Sequence, residues 1–304
     1  MDLYLPVAGI SINLFLVVSV GGLVGFLSGL VGVGGGFLLT PILMMIGVPP
    51  TVAAASGSCA LVGTSSSATS IHFRMGNVDL RLGGILLLGG LSGAAIGVHV
   101  VKLLRALGSA DIVITITYVV MLGSVGFFMF LESLQSLRRG VMVRKAPNAL
   151  TQGSLLRKLP LQMNFPRSNV KHSVLVPFAL CALVGILAAI MGVGGGFIMV
   201  PMMVYLLRMP MHVAVGTDLF QILFTCAGVT IMQAATNQTV DIVLALMVAF
   251  GSMVGAQVGA RLTRLLRGEQ LRIVLATIVL ATTVKMSIGL LLTPSSLLSF
   301  AAGD

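Results

Sequence analysis

One pattern occurs twice in this chain and restricts the fold more than any other feature. Residues 31–41 read VGVGGGFLLTP and residues 191–201 read MGVGGGFIMVP. Gly34, Gly35, Gly36, Phe37 and Pro41 recur 160 positions later as Gly194, Gly195, Gly196, Phe197 and Pro201. Each copy follows a long apolar run and precedes a short one. Three successive glycines each cost a helix interior roughly 1 kcal/mol relative to alanine, so a helix breaks here. If the runs lie in hydrocarbon, the freed backbone groups need protein, water or a ligand as partners. Matching interruptions in two halves of an apolar chain point to a midplane binding site.

The totals place those runs in a membrane. Charged residues make up 9% of the chain and hydrophobic ones 57%, where soluble domains carry about 25% charge. The mean hydropathy is +1.09. At 304 residues there is room for roughly eight to ten spans of about 20 residues. The fold class expected is an all-α polytopic membrane protein, because a β-barrel needs alternating polarity rather than continuous apolar runs.

The net charge of +10 is concentrated. Arg138, Arg139, Arg144, Lys145, Arg157, Lys158, Arg167 and Lys171 share one stretch, and Arg261, Arg264, Arg267 and Arg272 flank another turn. This is the pattern of topology determinants and of contacts with anionic lipid head groups. No aromatic–basic interleaving points to nucleic acid. Cys59, Cys181 and Cys226 form no C-x-x-C, so neither a disulfide framework nor a zinc site is expected.

Taken in order, residues 10–31 are expected as a first, retained span with Gly21, Gly25 and Gly29 spaced for close helix approach. Residues 37–47 are too short to cross a core of about 30 Å, since eleven helical residues rise only about 16 Å. Spans follow over 51–73, 79–103 and 111–131. The basic linker 132–172, with Pro147, Pro160 and Pro166, is expected to lack a stable fold. The second half repeats the script over 173–191, 197–207, 212–236, 240–264 and 270–292. The division is therefore 1–131 as first repeat, 132–172 as cytoplasmic linker and 173–304 as second repeat. Five segments per half make the repeats inverted and return 261–272 to the linker's side. Treating the short segments as re-entrant instead gives parallel repeats and leaves a strongly basic loop outside.

Candidate site residues follow from this layout. Gly34, Gly35, Gly36 and Phe37, with Gly194, Gly195, Gly196 and Phe197, begin the two short segments. If these are helical, their free N–H groups and positive dipole ends suit an anion; the alternative is glycine used only for tight crossing. Neither copy matches a nucleotide-binding loop. Asp218 is the acidic residue deep in an apolar run, with Gln221 and Thr225 along one helical face and Thr217 beside it. A carboxylate there is costly unless partnered or protonated, which suits a proton carrier or, equally, a structural hydrogen bond at a break. Ser56, Ser58 and the Ser65–Ser67 cluster can donate to an oxyanion without burying a charge, or can simply pack helices closely. Lys285 either balances an anion or snorkels to the interface. The eighteen methionines are core filling.

The doubled apolar–GVGGGF–P unit, each copy followed by a small, hydroxyl-bearing segment and a glycine-rich one, resembles the TauE/SafE sulfite exporter-like permease family. The resemblance covers nearly the whole chain except the central basic loop, which is longer than the family's linker. It implies an inner-membrane permease for a small, often sulfur-containing anion such as sulfite, sulfoacetate or a related sulfonate.

The function expected is secondary transport of such an anion by alternating access, with Gly34–Phe37, Ser56, Ser58, Gly194–Phe197, Thr217 and Gln221 binding it and Asp218 coupling protons. A passive anion channel and a membrane-embedded enzyme are the alternatives. The latter is disfavoured because Asp218 has no His, Glu or Cys completing a catalytic set. No cofactor, metal site or catalytic residue is expected. Membrane lipids are partners, and a homodimer is left open.

Overall fold

The computed structural model describes residues 2–31, 36–139, 162–165, 170–207, 209–262 and 268–292. Among them are ten helices and two short antiparallel strand pairs. β1 (Asp2–Leu5) pairs with β2 (Ile10–Asn13), setting Leu3 opposite Ile12. α1 (Leu14–Val31) starts where the Asn13 side chain accepts the Phe15 N–H at 3.0 Å. The apolar run 10–31 is thus a strand for four residues and a helix only afterwards.

The first half continues with α2 (Gly36–Met45), α3 (Pro50–Arg74), α4 (Leu80–Ala106) and α5 (Ala110–Arg139). After β3 (Gln162–Phe165) and β4 (Val170–Ser173) come α6 (Leu175–Met191), α7 (Gly196–Tyr205), α8 (Met211–Thr236), α9 (Ile242–Leu262) and α10 (Gly268–Leu292). The linker 132–172 is therefore not featureless. α5 extends through it to Arg139, and the β3–β4 pair falls at its end, because the apolar residues Met163, Phe165 and Val170 alternate with polar ones.

Local chemistry sets the boundaries. α2, α3 and α4 end in glycine caps at Gly47, Gly76 and Gly108, whose positive φ angles let the following N–H reach back to Leu43, His72 and Leu104. Asp79 begins α4 by accepting the Arg81 and Leu82 N–H groups at 3.2 and 3.3 Å, and Asp241 begins α9 by accepting that of Leu244 at 3.1 Å. α2 and α7 are ten residues each, about 15 Å of rise, and both enclose a proline, Pro41 and Pro201.

Among the described residues four segments are long and apolar enough to cross a membrane: Leu80–Ala106, Ala110–Phe127, Met211–Thr236 and Ile242–Gly259. Shorter apolar helices accompany them at Leu14–Ser28, Gly36–Met45, Leu175–Met191 and Ala276–Leu290. The helices are interleaved across the two halves. α1 packs on α9 and α6 on α4, α3 meets α8, and α5 meets α10. Glycine makes the first two crossings intimate. Cβ atoms on Gly255 or Gly93 would collide with the Gly22 or Ala182 carbonyl of the facing helix. Adding five to each helix number, counted round ten, exchanges the α1–α9 and α6–α4 pairs and returns α3–α8 and α5–α10 to themselves.

Candidate functional site

The second glycine break is described throughout, and every residue from Met191 to Phe197 is buried. α6 closes on Gly192 at φ +71°, Gly194 and Gly195 follow at +73° and +83°, and α7 starts at Gly196. An L side chain strains in that region. Space is also denied: a Cβ on Gly194 would lie 2.9 Å from Ile222 Cγ2 and 3.0 Å from Cys226 Sγ, and one on Gly195 would overlap Val184 Cγ1. Gly34 and Gly35 of the first break lie outside the described residues, whereas Gly36 and Phe37 are buried.

The starts of the two short helices meet. The Phe37 and Phe197 rings, each the second residue of its short helix, stand 5.7 Å apart between centroids at 34°. A Cβ on Gly36 would come within 2.9 Å of the Val193 carbonyl oxygen. α3 closes the same region, since Gly192 abuts the Ala54 carbonyl and Leu61 reaches both Gly36 and Gly194. Tyr118 of α5, wholly buried, donates its hydroxyl to the Met191 carbonyl at the end of α6. Nothing in the residue pattern around Tyr118 marks that role beyond a phenol inside an apolar run.

The hydroxyls divide into distinct jobs. Ser56 Oγ accepts the Asp241 N–H at 3.0 Å, and Thr217 Oγ1 accepts the Asp79 N–H at 3.1 Å. Each ties the polar helix of one half to the capping aspartate of the other. Both aspartates are buried, and Asp241 also accepts the Val7 N–H at 3.3 Å. The matching triplets Asn77–Asp79 and Thr239–Asp241 were the visible trace of these joints. Ser58 donates to the Ala54 carbonyl of its own helix at 3.2 Å.

Asp218 is 2% exposed, and its Oδ1 has no hydrogen-bond partner among the described residues. Cys181 and Cys226 are its electrostatic neighbours. Gln221, fully buried, donates Nε2 to Thr225 Oγ1 at 2.9 Å, while its Oε1 lacks a partner among the described residues. Lys285 is exposed on α10, in contrast to the buried breaks.

A second polar chain escaped the sequence reading. Arg105 donates to the Asn237 carbonyl, Asn237 Nδ2 donates to Gln233 Oε1 at 2.5 Å, and Gln233 Nε2 donates to the Ala189 carbonyl at 3.2 Å. It links the ends of α4 and α8 to the last turn of α6. A cleft of about 20 Å³ opens among α1, α2, α3 and α9, bordered by Ser28, Gly36, Leu61, Thr64 and Ser252.

Apolar helices interleaved across two halves, with the starts of two short helices brought face to face, define a polytopic helical membrane protein. Residues 17–286 match the family described as Sulfite exporter TauE/SafE, and the chain belongs to that family. It is similar to "Probable membrane transporter protein YunE" of Bacillus subtilis, at 27% identity over 82% of this chain and 89% of that protein. "Probable membrane transporter protein YjnA" of the same organism is 25% identical over 89% of this chain and 98% of its own length. "Sulfite exporter TauE/SafE family protein 3" of Arabidopsis thaliana shares 29% identity over 40% of this chain and 27% of its own. No solved structure matches. The chain is a multi-pass membrane transporter of this family.

Proposed function

We propose that the protein moves a small oxyanion, sulfite or an organic sulfonate, through the inner membrane by exposing one central site to each side in turn. The observation that carries the reading is the approach of the α2 start to the second break and the α7 start: Phe37 against Phe197, and Gly36 against the Val193 carbonyl. A helix start offers unpaired N–H groups and the positive end of its dipole, and two such starts brought together suit a negatively charged solute. Gly36, Phe37 and Gly194–Phe197 frame the site. The names of the plant relatives favour sulfite as the first substrate to test.

On this reading the halves 1–131 and 173–304 are inverted copies joined by a cytoplasmic linker. Two features support it: a ten-residue helix stands second in each half, and the packing partners interchange between halves. Asp218 is the proton carrier, because it is the buried carboxylate with an unpartnered oxygen among the described residues. A neutral carboxyl can lodge there at far less cost than a carboxylate.

The test is radiolabelled sulfite uptake into proteoliposomes holding the purified chain. Saturation, and counterflow driven by unlabelled sulfite inside, are expected of a carrier. Conductance without saturation would replace the carrier with a channel, and chemical conversion of sulfite would make the protein an enzyme.

A further inference from the structure

We propose that the cleft among α1, α2, α3 and α9 seats one oxygen atom of the transported oxyanion, held by Ser28, Thr64 and Ser252; this rests on the anion-transport reading above. About 20 Å³ is room for a single water-sized group, and an oxyanion oxygen has that size. The remainder of the anion then lies toward Gly36, where α2 starts.

The argument comes from comparing the two halves place by place. Gly25 packs against the backbone of Ser252, and Gly185 packs in the same way against Gly90. Those contacts align α1 with α6 and α9 with α4, so Ser28 corresponds to Ala188 and Ser252 to Gly90. On the polar helices Thr64 corresponds to Thr225 and Ala60 to Gln221. In the second half this space is filled. A Cβ on Gly90 would meet Thr225 Oγ1 at 2.8 Å, Gln221 Nε2 at 2.9 Å and Cys181 Sγ at 3.3 Å. There the Gln221 amide bonds Thr225, and two of the three hydroxyls are replaced by Ala188 and Gly90. In the first half Ala60 is too short to fill the space, and Ser28, Thr64 and Ser252 all border it. One half is shaped to receive a polar group and the other is plugged by its own glutamine.

Two of these hydroxyls, those of Thr64 and Ser252, can change partners. Thr64 Oγ1 donates to the Leu61 carbonyl at 3.1 Å, and Ser252 Oγ to the Ala249 carbonyl at 3.0 Å, both within their own helices. Those carbonyls keep their helical bonds when the hydroxyl turns away. Rotation onto an anion replaces a neutral bond by a charge-assisted one, roughly twice as strong. Neutral donors also leave no buried charge behind when the anion departs, which a carrier needs in order to return.

The experiment measures binding of radiolabelled sulfite to the purified full chain in potassium buffer. Ser252→Ala and Thr64→Val are each expected to weaken binding about tenfold, while Thr64→Ser stays within about twofold of the parent. If Ser252→Ala fails to fold, Ser252→Gly removes the same hydroxyl with the residue that the second half carries. Parent protein that binds sulfite, with the variant carrying both Thr64→Val and Ser252→Ala binding it equally well, overturns the cleft assignment alone. Parent protein that binds none of sulfite, thiosulfate and sulfoacetate overturns the transport reading and this inference with it. Sulfite binding that requires sodium, with the requirement lost in Ser252→Ala, makes the cleft a cation site and likewise overturns the inference.

Discussion

Gly195 offers the sharpest test of how the second break is held. Its φ of +83° belongs to the left-handed region, where an alanine costs about 1–2 kcal/mol. The new Cβ would also overlap Val184 Cγ1, a fully buried methyl, and overpacking of that kind costs about 1–3 kcal/mol. Gly195→Ala is therefore expected to destabilise the protein by about 2–5 kcal/mol. The two causes separate in the double variant with Val184→Ala. Alone, Val184→Ala empties buried space and costs about 1–3 kcal/mol. Together, the alanine methyl at 195 moves into the room that Cγ1 leaves, so the pair should be less damaging than the sum of the singles by about 1–3 kcal/mol. Backbone strain stays in the double variant, because nothing done at 184 alters φ at 195. The assay is a detergent unfolding titration read by helical circular dichroism, run beside sulfite uptake. Partial recovery of stability without recovery of uptake is expected, since uptake depends on the backbone course of the break. Strict additivity would refute the steric part, and a neutral Gly195→Ala would refute the account of the break altogether.

Thr217→Val strips the acceptor from the buried Asp79 N–H and should cost about 1–3 kcal/mol in the same titration, with Ser56→Ala matching it through Asp241. A large cost for one and none for the other would show that the two joints are not equivalent. Asp218→Asn is expected to flatten the dependence of sulfite uptake on pH, and an unaltered profile would remove Asp218 from proton coupling. Gly255→Ala should destabilise by about 1–3 kcal/mol through collision with the Gly22 carbonyl. Gly84→Ala, with nothing within 4 Å of the added methyl, should gain up to about 1 kcal/mol in helix propensity; equal thermal shifts for both would undo the close-crossing argument.

Much of this architecture was legible because it depends on backbone chemistry that glycine and proline write directly into the chain. Three successive glycines predicted a break before Phe197, and three positive φ values lie at Gly192, Gly194 and Gly195. Pro49 caps α3 and Pro50 begins it, one residue ahead of the expected 51. The strand pair at 2–13 was hidden because Ile10 and Ile12 read as the start of an apolar span, and only the Asn13 cap separates them from it. Site residues were less legible. Ser56 and Thr217 stood out as hydroxyls in an apolar helix, but their partners, the backbone N–H groups of Asp241 and Asp79, lie in the opposite half. No local pattern announces a partner that distant. Ser28 and Ser252 were overlooked for a related reason: each is an ordinary small residue in its own helix and gains meaning only where α1 crosses α9.

The interleaving also bears on what moves during the proposed alternation. Two halves rocking as sequence-defined bodies would have to slide α1 over α9 and α6 over α4, the crossings where glycine lets backbone touch backbone. Such contacts are bistable rather than smoothly deformable, because a small displacement forfeits close packing along the whole crossing. The softer seams lie elsewhere. α3 and α8 meet through Leu61, Ile222 and Cys226, and each accepts on a hydroxyl the N–H of a capping aspartate of the other half. The units that stay rigid are then the cross-half pairs α1–α9 and α4–α6. The hydroxyl-bearing helices between them take up the change. On the proposed alternation the Ser56 and Thr217 joints serve as hinges, and the halves keep nearly identical joints while differing at Ser252 and Gln221, the positions on which the proposed cleft depends.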